Sequence, residues 1–102
     1  MKSYRLSRRA RADIHEIWDY LAVERESPDA AHNQIESLYA KFSLLATSPL
    51  LGEARDDLKQ GLRAFSADRY VVFYYALDRG IEIVAVVHGA RDLEGLFRRG
   101  DL

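Results

Sequence analysis

Residues 62–88, LRAFSADRYVVFYYALDRGIEIVAVVH, change the period of the chain and decide its fold class. Leu62–Phe65 reads as a strand and Ala67-Asp68 as a tight turn. Tyr70–Leu77 reads as a strand rich in aromatic and β-branched side chains, which pack well on a pleated surface. Asp78-Arg79-Gly80 makes the next turn, with glycine free to adopt positive φ. Ile81–Val87 is apolar on both faces after Glu82, the pattern of a central strand covered by helices on one side and contacted on the other. His88-Gly89-Ala90 ends that run, and residues 92–98 (DLEGLFR) fit one short helix opened by Asp92.

Upstream the period is helical. Tyr4-Arg5-Leu6 is a short strand candidate, and Ser7 can cap a helix by accepting a free first-turn N–H. Ala10, Ile14, Ile17, Trp18 and Leu21 then form one apolar stripe opposite Asp13, Glu16, Asp19 and Glu24, which predicts an amphipathic helix over residues 8–25. Ser27-Pro28-Asp29 restarts a helix with a cap, a proline where no N–H is needed, and an acid at the positive end of the dipole. Its stripe is Ala31, Ile35, Leu38, Phe42 and Leu45, and Ser48-Pro49 and Gly52 end it. Residues 53–61 (EARDDLKQG) read as a polar loop. The two helices should pack as an antiparallel hairpin, with Ile14, Ile17, Trp18 and Leu21 facing Ile35, Leu38, Phe42 and Leu45. The expectation is a single α+β domain over residues 1–102. It has an N-terminal strand, an antiparallel two-helix hairpin, a three-stranded antiparallel sheet and a short C-terminal helix.

The composition agrees: 102 residues, 48% hydrophobic and 30% charged, suit one modest core and not a disordered chain. With no cysteine, no signal-peptide pattern and no long apolar run, neither export nor membrane spanning is expected, and cytoplasm is the expected location. Lys2, Arg5, Arg8, Arg9 and Arg11 make the front edge basic, whereas the acids concentrate in residues 13–57. A nucleic-acid-binding domain is usually basic overall, and this chain has a pI near 6.3, so direct DNA binding is not expected.

Chemistry-bearing patterns are sparse. The three histidines form no H-x-x-x-H pair, and His32 with Glu36 gives two ligands without a third, so no metal or other cofactor is expected. No G-x-S-x-G and no phosphate loop occurs. What remains is a set of arginines on the predicted sheet and its exit, Arg63, Arg69 and Arg91, with His88 and Phe97 near in sequence. Guanidinium groups gathered on one face hold phosphates or a partner's carboxylates. The alternative is internal pairing with Asp68, Asp92 or Glu94.

Four phrases carry a resemblance: YRLSRRARADIHEIWDYLA (4–22), LLATSPLLGEARDDL (44–58), GLRAFSADRYVVFYYAL (61–77) and GIEIVAVVHGARDLEGLF (80–97). In order and spacing they resemble the ParE toxins of the ParE/RelE superfamily over nearly the whole chain. The resemblance implies a three- or four-stranded antiparallel sheet on a helical hairpin and a ParD-type antitoxin that neutralises the toxin. It also implies DNA gyrase as target, and operator DNA reached only through the antitoxin. The sister branch, RelE, cleaves messenger RNA on the ribosome with basic residues and a C-terminal tyrosine or histidine. Carried over, Arg63 and Arg91 fall near basic positions of that set, Tyr70 falls on an arginine position, and Phe97 falls on the tyrosine. A phenyl ring moves no proton, which favours a non-enzymatic toxin over a ribonuclease. Arg63, Arg69, His88, Arg91 and Phe97 are therefore the candidate target surface, with Arg63, His88, Arg91 and Phe97 expected close together. Trp18, Tyr20, Leu21, Tyr39, Phe42 and Tyr74 are the candidate antitoxin-facing patch, against the alternative of tyrosines half-buried with their hydroxyls in water.

Overall fold

The structure, a computed structural model, describes residues 3–89 and 91–100. Ala90, which was expected in the break after the last strand, lies outside the described residues. In chain order the elements are β1 (Ser3–Leu6), α1 (Arg8–Asp19), a π-helical turn (Tyr20–Glu24), α2 (Pro28–Thr47), β2 (Glu53–Ala54), β3 (Leu62–Ala67), β4 (Tyr70–Leu77), β5 (Gly80–His88) and α3 (Leu93–Arg98). The sheet has five strands in the order β1-β5-β4-β3-β2, not the expected three. Two-residue β2 lies inside the stretch expected as loop and adds to the edge of β3. β1 pairs with β5 in parallel, so the sheet is mixed.

The capping signals work as written. Ser7 Oγ accepts from Ala10 N at 3.0 Å, Ser27 Oγ from Ala30 N at 3.3 Å, and the Asp92 carboxylate from Gly95 N at 3.0 Å. The turn between β3 and β4 places Asp68 at φ 57°, and the Asp68 carboxylate accepts from Ser37 Oγ at 2.9 Å and Gln34 Nε2 at 3.3 Å. That turn is thereby tied to α2.

Alternation puts one set of strand residues under the helices and the other on the far face. Leu38, Phe42 and Leu45 of α2 and Ala10, Ile14 and Ile17 of α1 bury against Val72, Tyr74, Ile81, Ile83 and Val86. The far face buries Leu62, Phe73, Ala85 and Val87 beneath Leu96 of α3, with Leu58 and Phe97 packed alongside. The β4–β5 register shifts between Phe73 and Tyr74, which pair with Ala85 and Ile83, leaving Val84 as the extra residue of a bulge. The bulge reverses the parity of β5, so Ile81 and Ile83 and then Val86 all face the helices. Ala85 and Val87 face α3, so both faces of β5 are covered, which accounts for the apolar run that the sequence displays.

Two expectations about α1 are corrected. Trp18, expected in the helix–helix seam, is 38% exposed. Asp13, expected on the solvent face, is buried: its Oδ2 accepts from Val86 N at 2.9 Å and its Oδ1 from Arg9 Nε at 2.8 Å. The reason lies in the sheet edge. β1 stops pairing at Leu6–Ile83, and beyond that point α1 must satisfy β5. Ser7 N donates to Ile83 O, Ser7 Oγ to Val84 O, and Asp13 takes the Val86 amide.

Tyr74 fixes the exit of α2. Its hydroxyl donates to Pro49 O at 2.7 Å and accepts from Gly52 N at 2.9 Å, and a Cβ on Gly52 would fall 2.5 Å from that oxygen. Tyr74→Phe leaves a buried amide and a carbonyl without their partner and is expected to cost about 1–3 kcal/mol. Urea unfolding measures it, and an unchanged midpoint would show that the hydroxyl holds nothing.

Candidate functional site

The expected target surface divides into three places. Arg69, His88 and Arg91 meet in a cleft of about 560 Å³, between the end of α1 with its π-helical turn and the ends of β4 and β5. Arg63 does not line it: its Nε and Nη2 donate to Gly52 O at 3.1 and 2.6 Å, and Nη2 also reaches Leu50 O at 3.1 Å. Cross-strand partners Arg63 and Tyr74 thus hold the same loop from two sides. Phe97 is on the far face of the sheet, its ring edge-on to Phe73 with centroids 5.3 Å apart. The expected grouping of Arg63, His88, Arg91 and Phe97 is therefore corrected to Arg69, His88 and Arg91.

The expected antitoxin-facing patch also divides. Phe42 and Tyr74 are fully buried, Phe42 with its ring 5.4 Å from that of Tyr4 and 5.7 Å from that of Tyr39, and neither is offered to a partner. Trp18 and Tyr39 are each 38% exposed and Tyr20 46%, while Leu21 is half-buried and packs on the core. Tyr20 and Leu21 line the same cleft as the arginines, so two sets named for different roles share one cleft from opposite walls.

Local structure explains how the cleft arises. α1 ends in the π-helical turn, where Arg25 N bonds back to Tyr20 O at 2.9 Å. A wider turn swings successive side chains away from their α-helical positions, and such turns recur at functional sites. On the opposite wall the Val84 bulge brings Val86 and His88 to the helix side of β5, where the His88 ring meets Tyr70 edge-on at 5.6 Å. Arg69 sits in the β3–β4 turn and Arg91 follows β5, its amide bonded to His88 O at 3.0 Å.

The cleft is basic and aromatic with an apolar floor of Ile17, Leu21 and Val86. Arg9 is paired with Asp13, but among the described residues neither Arg69 nor Arg91 makes an ion pair or a side-chain hydrogen bond. Of the internal acids expected as alternatives, Asp68 accepts from Ser37 and Gln34 and Asp92 from Gly95 N, and among the described residues Glu94 makes no ion pair with either arginine. Burial pushes the Tyr70 hydroxyl pKa above its usual value, with nearby Arg69 opposing and Tyr20 adding, so Tyr70 remains a donor at neutral pH. The arrangement offers guanidinium and hydroxyl donors of the kind that hold an anion; among the described residues no group of three histidines, cysteines or carboxylates could hold a metal ion. Tyr70 and Arg9 line the cleft but were not among the candidate site residues. The β4–β5 hairpin, which pairs Tyr70 with the strand end at His88, was the signal for the first, and the i,i+4 spacing to Asp13 for the second.

A model of the family described as ParE toxin of type II toxin-antitoxin system, parDE, matches residues 4–93. A protein named Toxin ParE1 from Caulobacter vibrioides is 38% identical over 88 residues, covering 86% of this chain and 90% of that protein. A Toxin ParE1 from Mycobacterium tuberculosis is 33% identical over 92 residues, covering 89% and 93%. A solved structure titled Chromosomal ParDE TA system from P. aeruginosa superposes with a TM-score of 0.70 at 20% identity, covering 86% of this chain and 96% of that one, a likeness of fold.

Proposed function

Because the chain belongs to the ParE toxins of type II toxin–antitoxin systems, we propose that it inhibits DNA gyrase by binding, without catalysis, and is neutralised by a ParD-type antitoxin in the cytoplasm. The observation that carries the reading against a ribonuclease is the position of Phe97. A phenyl group stands where a proton-transferring residue would be needed, and it is packed against Phe73 instead of facing the cleft. Arg63, the second residue aligned with a ribonuclease set, spends its guanidinium on the backbone carbonyls of Leu50 and Gly52. No helix among the described residues is long and apolar enough to cross a membrane, which suits the cytoplasmic reading.

The purified toxin is expected to block supercoiling by gyrase and to leave ribosome-bound messenger RNA intact, and the antitoxin is expected to restore supercoiling. Site-specific cleavage of that RNA would overturn the non-enzymatic reading. Undisturbed supercoiling at saturating toxin would remove gyrase as the target.

A further inference from the structure

We propose that the cleft between the π-helical turn of α1 and the ends of β4 and β5 is a carboxylate-anchoring pocket. It takes an acidic side chain, flanked by an apolar one, from a segment of the antitoxin. The inference rests on the reading that this toxin pairs with an antitoxin, and it adds the residues and the chemistry of the contact. Two guanidinium groups, Arg69 and Arg91, line one cleft and, among the described residues, make no ion pair, although the chain as a whole has a net charge of -1. Each guanidinium presents a fork that matches a carboxylate, and the protonated Tyr70 hydroxyl supplies a further donor beside Arg69.

The rest of the lining selects among anions. On the α1 wall Asp13 is paired with Arg9, and the remaining charge of Glu16 opposes a polyphosphate chain while tolerating a single carboxylate held by the opposite wall. The apolar floor and the half-exposed Tyr20 ask for an apolar or aromatic neighbour of that carboxylate. An acidic, partly apolar protein segment satisfies all of these features, whereas a nucleic-acid backbone satisfies only the arginines.

The test uses the full-length toxin and its full-length ParD-type antitoxin, titrated by calorimetry. Arg69→Glu, Arg91→Glu and the double variant are compared with Arg79→Glu, whose residue lies in the β4–β5 turn and does not line the cleft. Thermal melts first establish that all variants are folded. Each cleft reversal is expected to weaken antitoxin binding by at least about tenfold. The double variant should also lose much of the salt dependence, and Arg79→Glu should bind within about twofold of wild type. Equal binding by all variants would overturn the pocket while leaving the toxin–antitoxin pairing standing. Absence of binding by the wild type would overturn the pairing and the pocket together. A single-stranded RNA oligonucleotide serves as a second titrant. Tight RNA binding lost in the double variant, with antitoxin binding unchanged, would assign the cleft to nucleic acid and overturn the proposal.

Discussion

Phe42→Ala is expected to lower the stability of the isolated toxin by about 3–5 kcal/mol, enough to shift its melting temperature by more than roughly 10 °C. The side chain is fully buried where α2 meets β1, edge-on to Tyr4 and Tyr39, so truncation leaves a cavity that neither ring can fill without losing its own contacts. A domain of this length is held by only about 5–15 kcal/mol, so the variant stands near the edge of unfolding at 37 °C. Tyr39→Ala, at a half-exposed ring of the same cluster, should cost clearly less. Equal losses at Phe42 and Tyr39, measured by calorimetry, would refute the division between core and surface drawn here.

Gly80→Ala is expected to be nearly as damaging, for a different reason. Gly80 opens β5 at φ 128°, a conformation L side chains rarely adopt, and an added Cβ would collide with the Ser3 carbonyl oxygen of β1. The backbone strain alone is of order 1–3 kcal/mol, and relieving the collision requires β1 to leave the sheet. Hydrogen exchange locates the effect: amides of residues 3–6 should lose protection while the β3–β4 hairpin retains it. Uniform protection equal to wild type would show that the edge tolerates the methyl group.

The helices and the three long strands were legible because each carries its own local signal: caps at Ser7, Ser27 and Asp92, and runs of aromatic and β-branched residues from Tyr70 onward. β2 was not, since two residues in a polar stretch have no periodicity to display and exist as a strand only because β3 offers an edge. Asp13 misled for a related reason. Its place on the helix is polar by pattern, and the unpaired Val86 amide that draws it inward belongs to a strand far along the chain. The expected closeness of Arg63 and Phe97 to the others failed at the same level. Phe97 looks close to the others in sequence but belongs to the opposite face of the sheet, whereas Arg63 is on the helix side but pairs with Tyr74, away from the Tyr70–His88 end, and is held by the carbonyls of Gly52 and Leu50. Only the pairing of strands and the position of the bulge, neither written locally, could assemble Arg69, His88 and Arg91.

The parallel pairing of β1 with β5 also governs when this protein can become active during its own synthesis. Ser3 waits for Gly80 and Leu6 for Ile83, so the first strand made has no partner until nearly all of the chain has left the ribosome. The helical hairpin can form early, but its apolar face has no strand residues to cover it until β4 and β5 arrive. Both walls of the arginine-lined cleft obey the same schedule, since α1 supplies one and the last strand the other. A ribosome that stops before β5 therefore releases an unfinished chain without the surface proposed for its partner, and that chain is material for proteolysis before it is a poison.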